Sequence, residues 1–425
     1  MGTLIKLAFR NVFRFKRRTF ITFSAVSLGL AILIIFLSLM NGVDKQSIEN
    51  LVNSQTSHLK IFKKGYFDKK DELPMELTID KTADIKNMIK EVNLVRETES
   101  RILFAAGLIK GMDELPCVGV AVEPTVDPAM FNLKQSLVEG EWLEPEDNKI
   151  LVGKQLAEDI GIAVGDLITI RMVVSSSDED FNWNAMDVEI KGIYDTGNPT
   201  TDGQFILIPL ATAQTGLSLE GAVTEIAVRL DADPADNAKL AKAHSQIAGL
   251  LQDKTPQLEV FSWKDLAGTF LVISKLKTRN SMMIILIMLF IASMGIINTM
   301  LMAVFERTRE IGMLSAMGMK QGEIKKLFVL EGALIGMMGS VLGCILGGLG
   351  AWYLEVHGWD FSNMGDTLQE VTAAIYPVKD VFYADLTFGL LILAFVLGTV
   401  VSIVSSYYPA KRAANLNPIE ALRHI

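Results

Sequence analysis

Residues 281–304 read "SMMIILIMLFIASMGIINTMLMAV", residues 305–326 "FERTREIGMLSAMGMKQGEIKK", and residues 327–354 "LFVLEGALIGMMGSVLGCILGGLGAWYL". At 1.5 Å per helical residue, each flanking stretch can cross a hydrocarbon core of about 30 Å. Two further stretches do the same: residues 19–40, "TFITFSAVSLGLAILIIFLSLM", and residues 386–407. Buried core helices of a soluble protein would carry polar faces, which these four runs lack. The expected fold is a multi-pass α-helical membrane protein with four transmembrane helices. The segment at 305–326 is too charged for lipid and too apolar for a plain linker, so it needs a reason of its own.

Composition agrees with a membrane part joined to a water-exposed part. The chain has 425 residues, half of them apolar, yet 21% charged. Residues 19–40 are too long for a signal-peptide core, and no small-residue cleavage site follows, so an uncleaved anchor is expected. Lys6, Arg10, Arg14, Lys16, Arg17 and Arg18 precede this span without an acid. Arg307, Arg309, Lys320, Lys325 and Lys326 follow the second span, and Lys411, Arg412 and Arg423 follow the fourth. Positive charge marks the cytoplasmic side, so both termini and residues 305–326 belong there. Residues 41–280 and 355–385 then lie outside, the former as a large acidic domain, which disfavours nucleic acid as a partner.

That domain reads as α+β. "HLKIF" (His58 onward) is a strand by its period-two pattern, and "TADIKNMIKEV" is an amphipathic helix with Thr82 as N-cap. "AVTEIAVRL", "PADNAKLAKAHSQIAGLLQDK" and "LEVFSW" repeat strand, helix and strand near the other end. The two units are expected to pack as one subdomain, with a β-rich insertion over about 102–210. "SSSDEDFNWN" (residues 175–184) reads as a mobile acidic loop.

Catalytic chemistry is not visible. No Walker A, HExxH or GxSxG pattern occurs, and His58, His244, His357 and His424 are scattered over different elements. Cys344 lies in a span and leaves Cys117 without a disulfide partner, so no thiolate metal site is expected. The chain is expected to be a non-catalytic subunit with no metal and no cofactor of its own.

Within the spans, Gly339, Gly343 and Gly347 recur every four residues and form a stripe where another helix can approach closely. Asn298 is expected to make an interhelical hydrogen bond, and Glu331, one turn inside its span, to pair with Arg307 or Arg309 at the interface. The stretch before residue 281 continues as an amphipathic helix that would extend the second span outward. Residues 305–326 suit a helix docking in a groove on another protein. Ile311, Met313, Leu314 and Met317 supply contact, Glu306, Arg307, Arg309 and Glu310 rim pairs, and Gly312 and Gly318 close approach or a turn. The alternative is a helix resting on the lipid surface.

"ERTREIGMLSAMGMKQGEIKKLFVLEG", the closing "YYPAKRAANLNPIEALRHI" and the opening "LAFRNVFRFKRRTFIT" resemble, in this order, the FtsX/MacB-like permeases of the type VII ABC transporter superfamily. "HLKIFKKGYFD", "VEGEWLEPEDNKILVGKQLAEDIGIAVGD" and "TGNPTTDGQFILIPLATAQ" are similar to the four-span subgroup of the lipoprotein-releasing permeases LolC and LolE. The resemblance implies a split periplasmic domain, residence in the bacterial inner membrane, and mechanotransmission, in which work is done outside the membrane. It implies ATP and Mg on a separate dimer of cytoplasmic ATPase subunits, coupled through residues 305–326, and a second permease subunit, identical or not. Lipoprotein cargo would enter between the first two spans, near Leu37, Met40, Met282, Ile285 and Leu289, and leave with a periplasmic carrier. FtsX-like regulation of a cell-wall hydrolase and MacB-like efflux remain the alternatives.

Overall fold

The structure, a computed structural model, describes residues 2–14, 16–177, 180–360, 381–417 and 421. Its principal helices are α1 (Gly2–Arg14), α2 (Lys16–Leu51), α3 (Thr82–Lys90), α4 (Asn237–Lys254), α5 (Gly268–Glu306), α6 (Thr308–Ala316), α7 (Gln321–His357) and α8 (Phe388–Ala414). Its strands β1 to β5 are Leu59–Lys63, Val95–Lys110, Asp113–Val122, Leu137–Gly140 and Lys149–Gly153. Strands β6 to β10 are Leu167–Ser177, Asp180–Tyr194, Phe205–Pro209, Glu225–Leu230 and Leu258–Ser262. Two compact units result: residues 1–44, 274–359 and 382–425 form a membrane unit, and residues 45–273 with 360–381 an extracytoplasmic one.

In the membrane unit, α2, α5, α7 and α8 are the helices long and apolar enough to span a bilayer. Helix α5 has 39 residues and α2 has 36, so each is about 54–58 Å long, well beyond the hydrocarbon thickness. The segment before residue 281 is thus one continuous helix with the span. At their outer ends Lys277 Nζ donates to Asp44 Oδ1 at 2.5 Å and to the Met40 carbonyl at 3.2 Å, tying α5 to α2. Helix α8 continues through Pro409 to Ala414 rather than stopping at residue 407.

Glycines set how closely these helices pack. A Cβ on Gly339 would meet the Val26 side chain at 2.9 Å, one on Gly343 the Leu30 side chain at 2.8 Å, and one on Gly347 the Ala31 backbone at 2.9 Å. All three face α2. Gly332 and Gly336, on the adjoining face of α7, lie against Ser406 and Ser402 of α8. Helix α7 is therefore gripped on two sides, with Leu30, Ile34, Phe328, Ala351 and Ala394 in the core between.

The extracytoplasmic unit is built on one long mixed sheet, in the order β10-β1-β9-β2-β3-β8-β5-β7-β4, with β6 paired to β2 and β7. β1 is antiparallel to both β9 and β10, so the two outlying strand–helix–strand stretches share one sheet. The boundary near residue 102 falls inside an unbroken strand: Val95 to Arg101 of β2 pair with β9, and Ile102 to Lys110 pair with β3. Strand alternation sends Leu59, Ile61, Ile102, Phe104, Ile226 and Val228 into one core with α3 and α4. A second core on the opposite face gathers Val120, Val122, Phe131, Leu151, Tyr194 and Leu207.

Three local expectations need correction. Residues 175–177 and 180–184 continue strands β6 and β7 as a hairpin, because backbone pairing from Leu167 to Ser177 outweighs the polar side chains. Thr82 opens α3 as its first helical residue, and Lys81, in the left-handed region at φ 53°, stands at the N-cap without a side-chain bond. Most of the loop expected at 355–385 lies outside the described residues, as does part of the tail.

Candidate coupling site

The loop between α5 and α7 is organised by one buried arginine. Arg307 breaks the helix between α5 and α6, with φ −108° and ψ 16°. Its Nη1 donates to both carboxylate oxygens of Glu331 at 3.1 Å, and its Nε donates to Glu310 Oε2 at 3.0 Å. Glu331 is fully buried and also accepts from Asn11 Nδ2 of α1 at 2.6 Å. Arg14 of α1 reaches Glu310 at 3.4 Å, and the Arg307 guanidinium stands over the Phe328 ring at 5.5 Å. A charge is admitted to an apolar surround only when paired and hydrogen-bonded. Here one carboxylate meets that condition by holding α1, the α5–α6 joint and α7 at once.

The helix period then sorts the remaining residues. Ile311, one turn after Arg307, is buried at 2% exposure, and Gly312 is buried beside it. Both had been expected to touch a partner; the i, i+4 spacing from Arg307 turns Ile311 inward instead. Arg307 itself is a core ion pair rather than a rim residue. Met313 and Met317, also four apart, lie on the other face, 46% and 76% exposed. Glu306 and Arg309 are exposed and Leu314 is half-buried. Gly318 adopts φ 94°, which turns the chain after α6, and Glu323 Oε2 accepts from the Lys320 N–H at 3.0 Å as α7 begins. The outward surface is therefore a methionine pair framed by exposed charge.

Asn298 lies elsewhere than expected. It is exposed and makes no hydrogen bond among the described residues, because Ile296, Met300, Ala303 and Val304 form the packed face of α5 and Asn298 points away from it. It lines a polar recess with Arg14, Lys16, Arg17 and Glu306.

An apolar groove of about 430 Å³ runs between α2 and α5, lined by Gly29, Ile32, Leu33, Met288, Leu289, Ile291, Ala292 and Gly295 among others. Of the five residues expected to line a cargo cavity, Leu289 does. Leu37 and Ile285 pack against the helix core, Met282 is 62% exposed, and the Met40 carbonyl is taken up by Lys277. The groove sits deeper along the helices than the outer ends. Gly29 and Gly295, which open it, were the readable signal.

A family model described as FtsX-like permease C-terminal matches residues 282–418, and one described as MacB-like periplasmic core domain matches residues 19–249, more than half of the chain. The chain belongs to the FtsX/MacB-like permease family. It is similar to the lipoprotein-releasing system transmembrane protein LolE of Haemophilus influenzae, 25% identical over 94% of this chain and 93% of that one. It is also similar to the macrolide export ATP-binding/permease protein MacB of Acinetobacter baylyi, 23% identical over 96% of this chain and 57% of that longer protein. Among solved structures, the periplasmic region of MacB from Actinobacillus actinomycetemcomitans aligns with 52% of this chain and 96% of its own, with 13% identity and a TM-score of 0.37. The protein is thus an ABC transporter permease of the LolC/LolE/MacB type, built from membrane helices and a MacB-like extracytoplasmic domain.

Proposed function

We propose that this permease couples ATP hydrolysis on a separate cytoplasmic ATPase dimer to the extraction of lipoproteins, or similarly acylated cargo, from the inner membrane toward the periplasm. The observation that carries the reading is the α6 surface: Met313 and the C-cap residue Met317 stand exposed on a short helix whose opposite face is locked by Arg307 and Glu331. An apolar pair held on a rigid mount suits a groove on a partner that must transmit force rather than merely adhere. Displacement of α6 would pass directly to α5 and α7, and α5 continues as one helix beyond the bilayer thickness. The groove between α2 and α5 offers acyl chains a lipid-like wall. A second permease subunit would complete the cavity, and a soluble carrier would receive the cargo. On this reading both termini are cytoplasmic, and ATP and Mg bind on the partner.

The test is reconstitution of the chain with its ATPase in lipid nanodiscs. ATP hydrolysis should rise with a triacylated lipoprotein and not with the same protein lacking its acyl chains. Equal turnover with both forms would remove the cargo assignment.

A further inference from the structure

The extracytoplasmic domain carries a row of buried charge on a face of the sheet that strand alternation would ordinarily fill with apolar residues. Lys60 of β1, Glu225 of β9, and Glu99 and Arg101 of β2 all turn to the face opposite α3 and α4, each no more than 6% exposed. Lys60 Nζ donates to Glu225 Oε1 at 2.7 Å. Arg101 Nε donates to Glu99 Oε2 at 3.0 Å, its Nη2 bonds Asp127, and its guanidinium lies on the Phe131 ring at 3.5 Å. A solely structural cluster would close its hydrogen bonds and exclude space. This one instead borders a cavity of about 310 Å³, at the small end of the roughly 300–1,000 Å³ found for small-molecule sites.

The cavity is lined by Lys60, Arg101 and Glu225 together with Phe62, Phe205 and Leu207. Tyr66 also lines it, stacked on Phe62 at 4.9 Å and 7° between planes. Tyr66 is 2% exposed, and its hydroxyl has no hydrogen-bond partner among the described residues. The neighbouring Thr224 hydroxyl accepts from the Leu103 N–H at 2.9 Å and gives its one proton to the Arg101 carbonyl at 3.4 Å, so it has none to donate to the Tyr66 oxygen. A buried, unpaired hydroxyl is costly unless something occupies the space beside it. Lys60 spends a single N–H on Glu225, and Arg101 Nη1 makes no bond among the described residues, so the wall offers donors beyond those it uses.

The pairing of these charges decides the ligand class. Lys60 is cancelled by Glu225. Arg101 faces the Glu99 and Asp127 carboxylates, so each of these cations already has an acid beside it. Neither Lys60 nor Arg101 is left without a counter-ion to recruit an anion, spare donors remain, and aromatic rings wall the site.

The geometry points to a binding site for an uncharged, flat, apolar molecule bearing a carbonyl acceptor, such as an aromatic amide or ester, whose oxygen accepts from the Tyr66 hydroxyl while its ring lies along Phe62 and Phe205. The site lies in the extracytoplasmic domain and is separate from the coupling and groove residues above. Its occupant would bridge β1 and β9 of one half of the sheet to β3 and β8 of the other, since Val120 and Phe205 share the lining with Lys60 and Glu225.

The experiment uses the full chain in lipid nanodiscs and 4-fluorobenzamide as the probe, read by broadening of its fluorine resonance after subtraction of empty nanodiscs. Saturable broadening at millimolar probe is expected. Tyr66→Phe, which keeps the ring stack, should weaken it about fivefold, the worth of one hydrogen bond. Leu103→Trp, which fills the cavity, should abolish it, and Val120→Phe serves the same end should that variant not fold. 4-Fluorobenzylamine, cationic at neutral pH, should bind at least about tenfold more weakly, because a buried cation facing unpaired donors has no compensation. Absence of saturable broadening, the result for a cavity that holds only water, would overturn the assignment. Broadening that Tyr66→Phe and the filling variants leave unchanged, or equal binding of the amine, would overturn it too.

Discussion

Replacing Glu331 with methionine tests whether the joint between α1, α6 and α7 is held by one carboxylate. The side chain is fully buried and accepts from Arg307 twice at 3.1 Å and from Asn11 at 2.6 Å. Removing it leaves the Arg307 guanidinium, 4% exposed, without its fully buried counter-ion and with the half-exposed Glu310 beside it. Breaking one side of such a buried pair costs about 3–5 kcal/mol, most of it the penalty of the charge left behind. Arg307→Met alone should cost a similar amount by taking the guanidinium away from the buried Glu331 carboxylate. The double variant Arg307→Met with Glu331→Met leaves no charge in the core, and Glu310, whose side chain is 32% exposed, can take water in place of Arg307. Its stability should return to within about 1–2 kcal/mol of the parent. Reversible unfolding of the full chain in mixed micelles, followed by circular dichroism against detergent composition, reads all three. A single variant costing less than about 1 kcal/mol, or a double variant as unstable as the two singles added together, would refute the reasoning.

Met317→Asp with Met313→Asp should leave the chain folded while abolishing stimulation of its ATPase, whereas Ile311→Asp should lower stability by several kcal/mol, about the cost of an unpaired buried carboxylate; expression, melting and ATP turnover separate the two outcomes. Gly347→Ala should destabilise the helix packing by about 1–3 kcal/mol, because its Cβ would lie 2.9 Å from the Ala31 backbone. Gly348→Ala, whose nearest neighbour is 3.7 Å away, should not, and the same micelle assay compares them. His58 is held neutral in the fold, its pKa lowered to about 4 by burial and then by Arg229, with Asp233 and the Ala232 carbonyl opposing. The unfolded chain therefore takes up the proton first, and stability present above about pH 6.5 is lost as pH falls toward 4, by about 3 kcal/mol at most. Unfolding of the chain at stepped pH should show that loss, and His58→Gln should flatten it.

The parts of the molecule set by local pattern were open to reading in advance. Four apolar runs announced four spans, and the strand and helix periods around His58 and Asn237 announced the paired units of the sheet. What stayed hidden depended on which face meets which neighbour. Ile311 and Met313 are both apolar in the same short helix, and only the position of Glu331 across the joint decides that Ile311 turns in. Asn298 sits in a helix so uniformly apolar that no stripe marked its packed side. Lys60, Arg101 and Glu225 occupy positions of alternating strands that pattern alone assigns to solvent. A second, buried face for those strands required knowing that residues returning from the insertion cover them. A charged residue at alternate positions on three different strands is the trace that remained in the sequence, and it acquires meaning once β1, β9 and β2 are seen to be adjacent.

The single strand β2, sixteen residues long, has a consequence for how the extracytoplasmic domain loses its structure. Its first residues hydrogen-bond to β9 and its last to β3 and β6 with no loop between. Neither half can fray without pulling register from the other, so amide protons at both ends should exchange with one common opening energy. An insertion joined in this way melts with its host.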